Sequence, residues 1–256
     1  MPSNRTVAVH PIATPDDSMT LARKVTAEAL GTLLLLAAVV GSGIMGERLS
    51  GGNVAIALLA NTIATGATLV AIILALGGIS GAHFNPAVTL AVALERGMKW
   101  ADVPAYIFGQ VTGAIGGVAA AHVMFGEPIF TASRHVRAGG AQIFSEFVAT
   151  FGLLSIIWGC SRVRSDSVPF AVGAYITGAY WFTASTSFAN PAVTIARSLT
   201  DTFSGIRPSD VSGFILAQLA AAMLATYLWS WLLPSLPSAA TDVIVSHSER
   251  ESAHGR

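Results

Sequence analysis

The sequence predicts an all-α membrane protein with six transmembrane helices and two re-entrant half-helices, arranged as an inverted repeat. Three observations predict this fold: an apolar composition, six long apolar segments, and two short apolar segments that share a tripeptide. Hydrophobic residues make up 53% of the 256 residues and charged residues only 11%, with a mean hydropathy of +0.63. A soluble domain usually has about twice as many charged residues. The chain is long enough for about six spans of ~20 residues each.

Six apolar segments have about the length that crosses the hydrocarbon core of a bilayer, and each is predicted to be a transmembrane helix. These are residues 22–46, 54–76, 101–124, 142–162, 168–185 and 209–233. They define one membrane domain, residues 22–233, with repeats at about 22–124 and 142–233. The polar segments outside it, 1–21 and 234–256, are predicted to be disordered cytoplasmic tails.

Two further apolar segments, His83 to Leu94 and Phe188 to Leu199, are too short to cross a bilayer and are predicted to be half-helices packed inside the bundle. Both contain Asn-Pro-Ala, namely Asn85, Pro86 and Ala87 in the first, and Asn190, Pro191 and Ala192 in the second. Proline suits the first turn of a helix, and asparagine caps it while its amide can still donate an N–H. We therefore expect the two amides to meet at the membrane centre.

The two halves of the chain also repeat a buried acidic residue. Glu28 and Glu146 occur early in the first and fourth predicted spans, each followed four residues later by a threonine. Three spans and a half-helix are an odd number of crossings, so the second copy is inverted relative to the first. Carboxylates are costly inside a membrane. We expect these two to be structural supports that accept hydrogen bonds from backbone N–H groups of the re-entrant loops, with proton relays as the alternative.

Basic residues at the ends of the spans predict the orientation. Nine of the fourteen lie on the side of the two tails, which favours cytoplasmic termini by the positive-inside rule. The nine are Arg5, Arg23, Lys24, Arg96, Lys99, Arg162, Arg164, Arg250 and Arg256, against Arg48, Arg134, Arg137, Arg197 and Arg207 on the other side. The expected location is a cell membrane, inner or plasma, crossed several times with both termini cytoplasmic.

The sequence argues against several other classes of function. The formal net charge is zero, and no basic segment interleaved with aromatic residues indicates a nucleic-acid partner. With a single cysteine and few histidines in the apolar region, no metal site and no nucleophile with a base is visible. We expect no enzyme activity and no cofactor.

The motifs around the two asparagines run from Ser80 to Leu90 and from Ser187 to Arg197. With these motifs the chain resembles the aquaporin and aquaglyceroporin superfamily over about residues 22–233. The resemblance implies six tilted helices with two half-helices that meet at paired asparagines. It also implies a homotetramer with one pore in each subunit, embedded in the lipid bilayer. The function that it implies is passive passage of water and small neutral solutes.

The resemblance also implies a selectivity filter, found by counting from the two asparagines. The four positions are Thr65, Gly178, Ser187 and Val193. Most members have arginine at the position of Val193 and an aromatic residue or histidine at one or more of the others. All four residues are small or medium and uncharged here, which implies a widened filter.

The stretch from Asn190 to Phe203 is most similar to bacterial aquaglyceroporins associated with arsenic resistance. That likeness implies glycerol-like polyols, urea, arsenous acid and other metalloid hydroxides as solutes. Further candidates to line the pore are His83, Phe188 and Arg197. Phe188 is an alternative to Ser187 at the filter, and Arg197 is alternatively a loop anchor paired with Asp201.

Two other functions remain compatible with the sequence. One is a proton-coupled secondary transporter that uses Glu28 and Glu146, and the other is a largely closed junction or structural membrane protein.

Overall fold

The computed structural model describes residues 19–233, apart from the side chains of residues 162 and 163. The predicted tails, 1–21 and 234–256, lie outside these residues except for 19–21. Within the described residues the chain forms eight α-helices, three short 3-10 helices and no strands. The α-helices are α1 Leu21–Leu49, α2 Val54–Ser80, α3 Pro86–Leu94, α4 Val103–Phe125, α5 Gly140–Val163, α6 Val168–Phe182, α7 Pro191–Arg197 and α8 Val211–Leu232. The 3-10 helices are Trp100–Asp102, Ser165–Ser167 and Pro208–Asp210.

Five of these helices are long and apolar enough to cross a membrane, namely α1, α2, α4, α5 and α8. The fifth predicted span, 168–185, forms α6, which has 15 residues and a length of about 22 Å. Large apolar side chains cover the outer surface of the bundle, as expected for a multi-pass membrane protein. They include Leu30, Ile63, Phe108, Phe170 and Leu216.

The helix starts follow local rules. Asn53 caps α2, because its side-chain oxygen accepts hydrogen bonds from the backbone N–H groups of Ala55 and Ile56. Proline occupies the first turn of α3, α4, α6 and α7, where its missing N–H would have no partner in the helix. These signals are local in sequence, which is why the predicted and observed helix starts agree closely.

Glycines on α4 allow it to pack closely against α1. A Cβ atom at Gly113 would overlap the backbone carbonyl of Ala29, and one at Gly117 would overlap the carbonyl of Leu33. Small residues let two helix backbones approach each other in this way inside a membrane. The two helices thereby hold one wall of the bundle together.

We expect Gly113→Ala to lower the folded yield and the melting temperature in detergent, because the added methyl group forces α1 and α4 apart. Gly116→Ala is the matched control, since a Cβ there meets only a terminal methyl of Leu33 at 3.4 Å. Helix propensity favours alanine at both positions by about 1 kcal/mol, so the control should be neutral or more stable. A Gly113→Ala protein as stable as the control would contradict the close approach.

The two short helices lie inside the bundle. Helix α3 packs against α4 and α8, while α7 packs against α4, α8 and α1, and the two short helices also contact each other. Nearly every residue of both is buried. Each begins at the proline of its Asn-Pro-Ala tripeptide, as predicted. The ends of α3 and α7 are therefore brought face to face within the protein.

Candidate functional site

The loops that enter the short helices have an unusual backbone. Before α3, Ala82 and Phe84 have φ angles of 49° and 48°, and before α7, Ser187 and Ala189 have φ angles of 51° and 48°. Left-handed φ angles are uncommon for residues other than glycine and persist only where the surroundings hold them. The two loops thus share one strained conformation, and each needs a partner that fixes it.

Glu28 of α1 fixes the loop before α3. Its Oε1 accepts hydrogen bonds from the backbone N–H of His83 at 2.9 Å and the hydroxyl of Ser80 at 2.6 Å. Its Oε2 accepts from the backbone N–H of Phe84 at 2.6 Å and from Nε2 of Gln110 at 2.7 Å. The carboxylate is fully buried and accepts hydrogen bonds from four donors.

Glu146 of α5 does the same for the loop before α7. Its Oε1 accepts from the backbone N–H of Phe188 at 2.9 Å, and its Oε2 accepts from the N–H of Ala189 at 2.8 Å. Nε2 of Gln218 donates to the same Oε2 at 2.6 Å. The matching residues of the two halves thus make matching bonds, and neither carboxylate faces solvent.

The asparagines Asn85 and Asn190 connect the two loops directly. The Oδ1 of each accepts a hydrogen bond from the backbone N–H two residues later and so caps its own helix. Nδ2 of Asn85 donates to the carbonyl of Ala189 at 2.8 Å, and Nδ2 of Asn190 donates to the carbonyl of Phe84 at 2.8 Å. An amide carries two N–H donors, so this bond leaves each asparagine one further N–H.

Both asparagines line a cavity inside the bundle. Its wall is mostly aliphatic, from side chains such as Leu35, Val39 and Ile157, with a few polar groups among them. Pro86, Ala87, Pro191 and Ala192 are buried behind the asparagines, at the first turns of the short helices. A largely apolar tube with few, fixed hydrogen-bond donors can pass small polar molecules without holding them.

Three of the four filter positions line this cavity, namely Thr65, Ser187 and Val193. The prediction for the fourth is corrected by the structure, because Gly178 lies on the exposed surface of α6. The residues of α6 that line the cavity are Val172, Ile176 and Tyr180, spaced by four and so on one helix face. Gly178 is two residues from this face, which is about 200° around the helix.

Tyr180 is the lining residue of α6 with a polar group, and it was not predicted from the sequence. Its hydroxyl lies 3.3 Å from Oγ1 of Thr65, within hydrogen-bond distance. The spacing from Val172 through Ile176 to Tyr180 was the signal that could have identified it. This end of the cavity therefore has an aromatic side chain in its wall.

Phe188 and Ser187 both line the cavity, so the structure does not choose one over the other. The ring of Phe188 packs edge-on against Phe214, with ring planes at 82°. The Ser187 hydroxyl is buried and has no hydrogen-bond partner among the described residues.

His83 lines the cavity on the other side of the asparagines and pairs through Nδ1 with the hydroxyl of Thr89 at 3.1 Å.

Arg197 is buried in the cavity wall and is not paired with Asp201, although its Nε donates to the carbonyl of Ser204 in the loop after α7. Its guanidinium lies over the ring of Phe188, with Cζ 3.4 Å from the ring centroid. Asp201 pairs instead with Arg134. Its Oδ2 lies 3.8 Å from Nε of Arg134, and its Oδ1 accepts a hydrogen bond from the backbone N–H of Arg134.

A second buried guanidinium, that of Arg137, also lies over the ring of Phe188, 4.9 Å from its centroid. No sequence signal pointed to Arg137, which lies in the segment between α4 and α5.

The electrostatics at this end of the cavity are positive. Partial burial and the charges of Arg137 and Arg197 lower the pKa of His135, which lies in the segment between α4 and α5. Its imidazole is therefore neutral at pH 7.

Within residues 19–233, no group of three His, Cys, Asp or Glu side chains is placed to hold a metal ion.

Comparisons with known proteins agree with this architecture. Aquaglyceroporin AqpS of Rhizobium meliloti (strain 1021) is 56% identical over 218 residues, which are 85% of this chain and 93% of that protein. Aquaporin NIP6-1 of Arabidopsis thaliana is 33% identical over 167 residues, 63% of this chain and 53% of that protein. The X-ray structure of the aquaglyceroporin from Plasmodium falciparum has the same fold, with a TM-score of 0.63 at 20% identity, over 85% of this chain and 99% of that one.

The family comparison covers more than half of the chain. The family model described as Major intrinsic protein matches residues 16–179, which include α1 to α5, the first Asn-Pro-Ala tripeptide and most of α6. Together with the identity to the aquaglyceroporin of Rhizobium meliloti, this match shows that the chain belongs to the major intrinsic protein family.

Proposed function

We propose that the cavity is a passive path through the membrane for water and small uncharged solutes such as glycerol. Membership of the major intrinsic protein family makes the chain a channel and not an enzyme. The observation that carries the proposed path is the pair of asparagines in the cavity wall, each with one Nδ2–H left after its bond to the opposite loop. These donors, at the positive ends of two short helices, would orient a solute oxygen and repel cations.

The proposed topology has six crossings, with α6 as the fifth, and α3 and α7 as re-entrant half-helices. Its two halves are the inverted repeats 22–124 and 142–233. The matching bonds of Glu28 and Glu146 to their loops support this repeat. With six crossings both ends of the domain face the same side, which the basic residues indicate to be the cytoplasm of a cell membrane. The proposed assembly is a homotetramer.

The proposed filter consists of Thr65, Tyr180, Ser187 and Val193. It has no guanidinium at position 193 and is narrowed by one aromatic side chain. Such a filter would admit solutes larger than water, which supports polyols, urea and metalloid hydroxides such as arsenous acid as the solute class. His83 and Phe188 would line the path on either side of the asparagines.

A proton-coupled transporter is the weaker hypothesis, because Glu28 and Glu146 are both buried and occupied by backbone and side-chain donors. A proton on either carboxyl would break bonds that hold a strained loop. A cavity lined by both asparagines is likewise explained more easily by a channel than by a closed junction protein.

Stopped-flow measurements on proteoliposomes test the proposed function. We expect water, glycerol, urea and arsenous acid to pass at rates that rise linearly with their gradients and do not change when the proton gradient is collapsed. Empty liposomes and liposomes with heat-unfolded protein give the background. Flux that saturates and stops with the proton gradient would support a transporter, and vesicles inert to every solute would support a closed protein.

Asn190→Asp should lower neutral-solute flux roughly tenfold and raise cation leak, because a carboxylate cannot donate to the carbonyl of Phe84 and adds negative charge beside the path. Asn53→Asp is the matched control, since Asn53 caps an exposed helix start and aspartate caps equally well. Both rates are measured in vesicles with equal amounts of folded protein. Unchanged flux and leak in Asn190→Asp would count against a central role for the asparagine pair.

A further inference from the structure

Two arginines are buried beside one aromatic ring at the end of the cavity near α7. Arg197 and Arg137 are 1% and 8% exposed, and both guanidinium groups lie over the ring of Phe188. The ring is held by its edge-on contact with Phe214. A cation over an aromatic face is stabilised by the ring, and more so where water is excluded. The aromatic ring therefore favours two positive charges at one place in the wall.

Neither guanidinium has a carboxylate partner in the described part of the chain. The salt bridges found there are those of Arg48 with Glu127, Arg134 with Asp201 and Arg207 with Asp210. A nearby acidic group, Glu146, is already engaged by the loop before α7 and by Gln218. Burial of a charge without a counter-charge is unfavourable, so other groups have to satisfy these cations.

The two arginines differ in how fully their donors are used. Nε of Arg137 donates to the carbonyl of Gly205 at 2.8 Å, and its Nη1 donates to the carbonyl of Ser185 at 2.9 Å. Arg197 donates through Nε to the carbonyl of Ser204, but its Nη1 is buried without a partner among the described residues. Arg197, unlike Arg137, lines the cavity. Both arginines therefore hold the loop after α7, and Arg197 alone combines an unpaired donor with a place in the cavity wall.

The location of this donor is one helical turn beyond Val193. Arg197 and Val193 are four residues apart on α7 and lie on the same helix face, and both line the cavity. Val193 has no hydrogen-bonding side chain. A guanidinium at position 193 would supply a charge and hydrogen-bond donors. Arg197 supplies them instead, one turn farther from the asparagines.

We propose that Arg197 is the hydrogen-bond donor and the cation barrier of the constriction, displaced one turn from position 193 and held in place by Phe188. This inference rests on the proposed channel function. The unpaired Nη1 is buried in the structure, so it donates to an acceptor oxygen of a passing polyol or hydroxide only when the side chain turns toward the path. Because the guanidinium stands one turn farther out, the level of Val193 stays wide while cations are still repelled. Phe188 is the positioning residue, and Arg137 adds a second positive charge.

The test compares Arg197→Met with Arg134→Gln in the full chain. Methionine fills similar space without charge or donors, and Arg134 is an arginine on the same side of the protein whose side chain is 88% exposed. In vesicles with equal folded protein, we expect Arg197→Met to raise potassium leak at least roughly tenfold, because the loss of one positive charge beside the path lowers the electrostatic barrier to a cation. The ratio of glycerol to water permeability should fall several-fold, since water needs the donor less. Arg134→Gln should match the wild type.

Two further variants separate charge from position. Arg197→Lys keeps the charge and should keep the leak low, and Phe188→Leu keeps the guanidinium but removes the ring and should raise the leak partway. If Arg197→Met gives no folded protein, Phe188→Leu decides the matter. Leak and solute ratio equal to those of Arg134→Gln in Arg197→Met, or in Phe188→Leu if Arg197→Met does not fold, would overturn the proposal.

A labelling experiment keeps this inference separate from the channel function. Arg197→Cys in a Cys160→Ala background, with Arg134→Cys as the exposed reference, is treated with a small charged thiol reagent. Modification of Cys at 197 in folded protein supports a side chain that faces the path, and absence of modification overturns the proposal. Wild-type vesicles that pass no neutral solute would refute the proposed function alone, because the labelling result does not depend on flux.

Discussion

Replacement of Glu146 by leucine is expected to leave little folded protein. The substitution removes the acceptor for three buried donors, the backbone N–H groups of Phe188 and Ala189 and the Nε2 of Gln218. Each buried donor left without a partner costs about 1–3 kcal/mol, and a membrane domain has few other acceptors to offer. The left-handed residues of this loop then lose the contact that fixes them. The measurements are the monodisperse fraction in size-exclusion chromatography and the melting temperature in detergent.

Two further variants, one control and one partial substitution, are compared with Glu146→Leu. Glu47→Leu is the control, since Glu47 is exposed at the end of α1. Glu146→Gln retains one acceptor oxygen and should fall between leucine and the wild type in folded yield, with a near-normal rate for each channel that folds. A normal yield of Glu146→Gln together with lost uptake would contradict the structural role and favour proton-coupled transport.

Val193→Arg is expected to shift selectivity strongly toward water. Val193 is buried in the cavity wall, opposite a part of the path that already includes the aromatic side chain of Tyr180. A guanidinium is larger than an isopropyl group and adds a positive charge with five N–H donors. We expect glycerol to be slowed several-fold, bulkier neutral solutes to lose most of their flux, and cation leak to fall further. The measurement is paired solute and water permeability at equal amounts of folded protein.

Val193→Met separates the effect of size from that of charge. It narrows the path without donors, so it should slow bulky solutes but leave cation leak unchanged. If the ratio of bulky-solute to water permeability stays the same or rises in Val193→Arg, then Val193 does not line the constriction and the proposed widened filter is wrong.

The sequence was sufficient for features governed by local rules. Pro86 and Pro191 predicted the starts of the two short helices, and these helices begin at those residues. The long apolar segments predicted the other helices to within a few residues, since length and hydropathy decide what crosses a bilayer. The roles of Glu28 and Glu146 could also be inferred, because a carboxylate among apolar residues needs donors and the nearby loops have free N–H groups.

Features that depend on how helices rotate against one another were not predictable. Counting back from Asn190 led to Gly178, yet the path is lined by Tyr180. A count assumes a fixed relation between the loop and α6, whereas a shift of two residues changes the helix face completely. Arg137 was missed for a related reason, since its contacts with Ser185 and Gly205 join segments 48 and 68 residues apart.

The bonds between the asparagine amides and the opposite loops have a consequence for biosynthesis. They join residues 104 and 106 positions apart, so neither loop is complete until both halves of the chain are in the membrane. Contacts between such distant residues form late, after the local helices and helix pairs. A partly synthesised chain therefore contains stable hydrophobic helices but no finished pore centre. We therefore expect the path to become permeable only after the second half of the chain has been inserted and the two loops have met.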